Sequence, residues 1–341
     1  MNNNKKFFSI AIVVVLIVGF GLFLTREEKP KEEAVAIRML DSSSTVNSWE
    51  IVKKLTGRDI LEEEGVKLEL ISNLPSLGGS QNIQALLANN IDRGSGATLI
   101  WVNAIAAGGK IRAVVGSART TKERPWGYWS VLEDSNISSV EDFKDKKIAV
   151  GGLGTYMDTY TIGFLKEKGL SKSQVQIVVV PSDQQEQMLR SKQVDIAVLS
   201  ERYFVAAKKR GGIKAIVSDY DLLKKETVIT FQGFREDFIT KHPDTIRRYV
   251  TAFEKSERLV WEEFQKDPER VRKAASEIIK EKEGNPGAQI YYPGWSPSSP
   301  FIKDEDVQIY IDWFVDDGIL KPRQLKPSDV YTNEFNSYYK K

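Results

Sequence analysis

The residues of this chain best suited to chemistry sit where strand-like runs end. Lys147–Val150 leads into Gly151, Gly152, Leu153, Gly154 and Thr155, and a helical pattern follows from Tyr156. Glycines let backbone N–H groups approach a ligand, and a helix N-terminus favours an anion, so a sulfonate, phosphate or carboxylate suits this turn. Neither a GxGxxG fingerprint nor a GK[ST] P-loop is present, and the same residues would also serve an ordinary strand–turn–helix with a threonine cap. Two more hydroxyl-rich turns precede helices: Ser42–Thr45, with Ser43 and Ser44 as candidates, and Gly78–Gln81, with Gly79 and Ser80. Each could ring a polar ligand or simply cap the helix after it. Asp158, one turn into the helix beyond the glycines, and Glu201, just after Asp195–Leu199, could meet a cationic amine or be solvated. Trp49, Trp126, Trp129 and Trp295 could stack on a ring or cation, or pack in a core or hinge. Thr98, Ser117, Tyr156 and Gln232 complete the candidate ligand-binding set.

The composition argues against catalysis by the commonest routes. With Cys 0 there are no disulfides, thiolate metal sites or cysteine nucleophiles. The one histidine, His242, removes every two-histidine metal motif. It stands in Lys241-His242-Pro243-Asp244, where proline at a first helical position reads as a helix start, so a Ser-His-Asp set is not expected. No catalytic residue, metal or cofactor is predicted. Lys+Arg 49 and Asp+Glu 47 nearly cancel and are interspersed, which sets nucleic acid aside as a partner.

These residues need a scaffold, and the pattern supplies one. Short apolar runs alternate with helical spacings: Val35–Leu40, Val66–Ile71, Ala97–Val102 and Ile111–Val115 read as strands, with a small-residue helix over Asn103–Gly109. The aromatic segment Arg119–Trp129 reads as a crossover. The alternation then restarts through Trp129–Leu132, Lys147–Val150, Val175–Val180, Asp195–Leu199 and Ile213–Val217. Residues 226–234 look like a return strand, and the chain then turns helical. Strands and helices in this order argue βαβ units, and ligands bind beyond the carboxyl ends of such strands. About 300 residues exceed one ordinary core, so two domains are expected.

Ahead of this lies Phe7–Leu24, an uncharged apolar run. At ~1.5 Å per helical residue it reaches roughly the thickness of a bilayer core. Lys5 and Lys6 precede it, which predicts a cytoplasmic N-terminus with the rest of the chain outside. The reading is an uncleaved membrane anchor. A cleaved signal peptide has the same layout and stays open as the alternative.

Several segments together resemble one family. Ile60–Val66 is similar to its "ageEGl" stretch and Ile83–Asp92 to its "ALlaGqiD" step. Ser139–Val150 matches "svaDLkGKkiaV" with Asp145 in place of the glycine. Leu165–Leu170, Val194–Ala197 and His242–Asp244 match "L.k.GL", "vDa" and "HPe". The family is that of extracytoplasmic solute-binding proteins of ABC importers, the nitrate/sulfonate/taurine type, related to binding proteins for thiamine-precursor pyrimidines. The resemblance covers about residues 36 to 280. It implies an α/β, bilobal periplasmic-binding type II fold with two mostly parallel sheets and two crossovers. Lobe 1 would comprise 37–121 and 223–341 and lobe 2 would comprise 122–222, after a membrane helix and spacer over 1–36. The implied function is capture of a small organic anion or zwitterion and its delivery to permease and ATPase subunits. An aromatic heterocycle is the alternative ligand, and a small-molecule enzyme on the same fold the alternative of another class. Asn90–Trp101, Arg119–Trp129 and Tyr291–Pro300 depart from the family pattern.

Overall fold

The computed structural model describes residues 35–41, 46–72, 79–283, 291, 293–294 and 300–339. The predicted anchor Phe7–Leu24 and the candidates Ser43, Ser44 and Trp295 lie outside the described residues. Among the described residues no helix is long and apolar enough to cross a membrane.

The strands are β1 (Ile37–Leu40), β2 (Leu68–Ile71), β3 (Arg93–Ala97), β4 (Ile111–Thr120), β5 (Gly127–Leu132), β6 (Lys147–Val150), β7 (Gln176–Val179), β8 (Ile196–Ser200), β9 (Ile213–Ser218) and β10 (Thr227–Arg235). The longer helices are α1 (Ser48–Thr56), α2 (Gly79–Leu87), α3 (Thr98–Ala106), α4 (Tyr156–Glu167), α5 (Glu201–Arg210), α6 (Pro243–Lys266), α7 (Pro268–Glu283) and α8 (Asp304–Asp316). They serve three sheets: β1-β2, β3-β10-β4 and β7-β6-β8-β5-β9.

The expectation of mostly parallel sheets needs correction. β1 is parallel to β2, and β6 is parallel to β7 and β8. β10, however, runs antiparallel to both β3 and β4, and β5 runs antiparallel to both β8 and β9. The cause is the same in both sheets. A helix joins β3 to β4, and another joins β8 to β9, so each pair runs in one direction, as a helical crossover requires. Into each pair is inserted a strand from elsewhere in the chain, β10 or β5, which enters from the opposite end.

Two local readings also change. The strand expected at Ala97–Val102 lies earlier, at Arg93–Ala97, and Thr98–Ala106 is helical. Its Leu99, Trp101 and Val102 are buried. A short apolar run fits a buried strand or a buried helix equally well, and here the helix wins. β4 runs on to Thr120, so the crossover itself is shorter than Arg119–Trp129. By contrast, Asp145 holds a φ of 62° where the family pattern carries glycine, the residue that favours that region.

Helical spacing explains what is buried. On α4, Tyr156, Tyr160 and Phe164 recur every fourth residue and are all buried. Phe164 meets Trp129 edge to face at 4.8 Å between ring centres. The Trp129 indole N–H donates to Thr161 Oγ1 at 2.9 Å, so this buried ring leaves no orphaned donor. Burial of a side chain such as Phe164 contributes about 1.5–3 kcal/mol. α6 starts at Pro243 with His242 as its N-cap residue. Its inward face carries Ile246, Tyr249, Val250, Phe253 and, unusually for such a stripe, Glu257.

Candidate functional site

β3 reads Arg93-Gly94-Ser95-Gly96-Ala97, and its alternation builds a wall. Successive strand residues point to opposite faces. A Cβ at Gly94 would come within 2.7 Å of Leu86 Cδ2, and one at Gly96 within 3.3 Å of the Gly79 carbonyl oxygen. The glycines therefore let α2 lie close against β3, and Arg93, Ser95, Gly96 and Ala97 line a cavity of about 820 Å³ to which Gly79 and Asn82 of α2 also contribute. β10 adds Thr230 and Gln232 to the same wall, and β4 adds Ser117. Register places Gln232 opposite Ser95 and Thr230 opposite Ala97. Ser117 Oγ and Thr230 Oγ1 are hydrogen-bonded at 2.9 Å.

Arg93 is the charged group of this wall. Only 6 % of it is exposed. Its Nε donates to the Tyr249 hydroxyl at 2.9 Å and to Gln232 Oε1 at 3.2 Å, and Tyr249 also donates to Gln232. The adjacent acid, Asp92, faces the other way and is held by Arg38 at 2.7 Å and Arg235 at 3.4 Å. No carboxylate pairs with Arg93 among the described residues.

Apolar side chains from other elements complete the lining. Trp49 of α1 and Phe253 of α6 are among them, as are Leu61 and Leu68. Trp49 packs edge to face on Tyr249 at 6.4 Å. The Glu257 carboxylate accepts from Ser48 Oγ and from Gly294 N, the latter at 3.0 Å. Tyr291 OH lies 3.2 Å from Ser48 Oγ, and burial pushes its phenol well above the usual range. Glu50, also in the lining, is paired with Lys282 at 2.7 Å.

Arg124 and Trp126 also line the cavity. Arg124 Nη1 donates to the Pro293 carbonyl at 2.6 Å, and its Nε faces Glu201. Burial raises the Glu201 carboxyl, and the Arg124 charge opposes that shift. Nearby, the buried Asp219 carboxylate accepts from Thr120 Oγ1 at 2.9 Å, from Trp126 N at 3.0 Å and from the Tyr156 hydroxyl. Burial pushes Asp219 up to about 6, against the pull of those hydrogen bonds.

Of the residues predicted from sequence, Trp49, Gly79, Ser117 and Gln232 line the cavity. Ser80 is exposed and outside the lining. Thr98 is fully buried and donates to the Val228 carbonyl at 3.1 Å, closing α3 onto β10. The glycine turn is also absent from the lining. Two of its donors are turned inward: Gly154 N gives its hydrogen to Asp158 Oδ2 at 2.7 Å, and Thr155 Oγ1 donates to the Gly152 carbonyl at 2.7 Å. Tyr156 is committed to Asp219. Glu201 meets Arg124 in place of a ligand amine. Trp129 is core, whereas Trp126 borders the cavity. The sequence reading passed over Arg93, Ser95, Thr230, Arg124 and Glu257. The available signals were the charged and glycine alternation of 93–97 and an acid inside the apolar stripe of α6. Among the described residues no group of histidines and acids could hold a metal ion.

The family model described as NMT1/THI5 like matches residues 59–270. Among solved structures, the periplasmic aliphatic sulphonate binding protein SsuA from Escherichia coli superposes with a TM-score of 0.66 at 20% identity, covering 88% of this chain and 92% of that one. The alkanesulfonate-binding protein SsuA from Xanthomonas axonopodis pv. citri, bound to MOPS, gives 0.64 at 19% identity, covering 88% and 99%. A Candida albicans protein described as having the generic periplasmic binding protein structural fold gives 0.59 at 13%, covering 88% and 96%. No curated protein sequence matches the chain. With the family model matched over residues 59–270 and these superpositions beside it, the chain belongs to the NMT1/THI5-like family and has the α/β fold of periplasmic binding proteins.

Proposed function

We propose that the protein is the substrate-binding component of an ABC importer, taking a small organic anion or zwitterion of the sulfonate class and delivering it to permease and ATPase subunits. The observation that carries this reading is the cavity wall of Ser95, Ser117, Thr230 and Gln232, a row of hydroxyls and an amide beside a buried cation. Such a wall offers directional donors in a largely desolvated space, which is how binding sites fix orientation and select a ligand. The names of the SsuA relatives give the sulfonate class its preference. In this reading 37–121 and 223–341 form one lobe and 122–222 the other, and ligand binding draws them together without chemical turnover. Trp49, Gly79, Ser117 and Gln232 are the predicted residues that would touch the ligand. The soluble part is exported, with Phe7–Leu24 serving as its anchor or signal.

Native mass spectrometry of the purified protein, followed by calorimetry with a sulfonate panel, tests this. A retained small anion, released intact, is the expected result; steady conversion of a bound compound would replace the reading with an enzyme. For export, protease added to spheroplasts should digest the soluble part, while a wholly protected chain would contradict it. A second reading has its own support. Trp49 and Trp126 border the cavity, so an aromatic heterocycle could stack there.

A further inference from the structure

We infer that Arg93 is the residue that selects the ligand's charge, and that the ligand it selects is an organic oxyanion with an apolar body. The inference rests on the solute-binding reading above and adds to it where the anionic head sits. A guanidinium carries five N–H donors and stays charged in any protein environment. Arg93 spends its Nε on Tyr249 and Gln232. Those two bonds fix the plane of the group and leave its Nη edge for a partner. A charge removed from water without a counterion is costly, and buried charges are ordinarily paired. Here the neighbouring acid is turned to the opposite face, and of the lining acids Glu50 is paired with Lys282 while Glu257 accepts from Ser48 Oγ and Gly294 N. An anion entering the cavity supplies the missing partner. Two parallel N–H···O bonds along one edge suit a sulfonate or carboxylate, whose oxygens are spaced for that fork.

The rest of the lining sets the other end. Trp49 packs on Tyr249, the partner of Arg93, and Phe253, Leu61 and Leu68 line the same cavity. A bare inorganic anion would leave these side chains facing an unfilled volume, whereas an alkyl or aryl tail would cover them. The head of the ligand thus lies on the β3–β10 wall, away from the glycine turn at Gly151–Thr155.

The test is calorimetry and thermal melting of wild type, Arg93→Met and Arg93→Lys with hexanesulfonate, nitrate and a neutral aminopyrimidine as probes. Wild type is expected to bind hexanesulfonate and to prefer it over nitrate. Arg93→Met should bind it about ten- to 150-fold more weakly, the loss expected for hydrogen bonds to a charged group. Arg93→Lys, a point charge without the fork, should fall between the two. Without ligand, Arg93→Met should melt at or above the wild-type temperature, because an unpaired buried charge has been removed. Unchanged hexanesulfonate affinity in both variants would overturn the role of Arg93 while leaving the solute-binding reading in place. Nitrate binding as tightly as hexanesulfonate would overturn the apolar body. Binding of the aminopyrimidine with no sulfonate bound would overturn both this inference and the anion class, in favour of the heterocycle.

Discussion

Arg124 Nε lies 3.2 Å from both carboxylate oxygens of Glu201, so the turn between β4 and β5 is clasped to the first residue of α5. The same guanidinium holds the Pro293 carbonyl, which brings three distant parts of the chain to one side chain. Glu201→Gln should therefore destabilise the protein by about 1–3 kcal/mol, the cost of unpairing a largely buried charged hydrogen bond. Urea melts of Glu201→Gln, Arg124→Gln and the double variant give the check. If the pair acts as a unit, the double variant loses less than the sum of the singles. Strict additivity would show that the two groups act independently.

Asp219 gives the stability a pH dependence. Its folded value is pushed up to about 6 by burial, while an unfolded aspartate titrates at about 3.9. Between those values the native state holds a proton that the unfolded chain releases. The contribution is therefore full below about pH 4 and lost as pH rises through about 6. Asp219→Asn cannot release that proton. Relative to wild type, its stability should rise by on the order of 2 kcal/mol from pH 4 to pH 7. Parallel stability–pH profiles for the two proteins would contradict this.

Two glycines can be told apart by substitution. A Cβ at Gly233 would meet the Arg112 carbonyl oxygen at 2.1 Å and Ala113 Cα at 2.7 Å, both backbone, at a register shift in the β10–β4 ladder. Gly233→Ala should destabilise the fold by about 1–3 kcal/mol. A Cβ at Gly294 would meet the Ser117 carbonyl oxygen at 2.1 Å, beside the cavity, where the Gly294 N–H reaches Glu257. Gly294→Ala should weaken ligand binding more than it lowers the melting point. Equal effects of both variants on melting and binding would remove the distinction.

Ligand binding should register in Trp126. It borders the cavity, whereas Trp129 is sealed against Phe164 and Thr161. A hexanesulfonate-induced change in tryptophan emission should shrink in Trp126→Phe, with Trp49 of the same lining carrying the remainder, and persist in full in Trp129→Phe. Loss of the signal only in Trp129→Phe would place the responding ring in the core.

The scaffold was more legible than the site, for physical reasons visible in particular segments. Tyr156, Tyr160 and Phe164 repeat at helical spacing because one face of α4 is buried, and that pattern is local. His242–Pro243 announces α6 by backbone constraint alone. β3 was missed because it carries glycines on one face and polar groups on the other, leaving no apolar alternation to detect. Its identity depends on α2 packed against it and on the cavity it lines. The glycine turn looked like an anion cradle because helix starts do offer donors. Whether those donors face outward depends on Asp158, four residues on, which turns one of them inward. Gln232 and Ser117 were named singly, but only the pairing of β10 with β3 and β4 brings them to one wall.

The insertion of β10 between β3 and β4 also fixes when the protein can become functional during synthesis. Arg93 and Gln232 are 139 residues apart, and Arg93 and Tyr249 are 156 apart. Closing such long loops precedes any reward from the contacts they allow, which slows folding. All strands of the five-stranded sheet lie between Gly127 and Ser218, so each has its partners before β10 leaves the ribosome. β3 and β4 do not. Until residue 235 follows, both carry unpaired edges, the kind of surface that recruits other chains. A nascent or truncated chain that stops short of β10 can complete the five-stranded sheet and still hold no ligand. The hazard of edge-to-edge association is thus greatest over the interval in which the central strand of the three-stranded sheet has yet to be made.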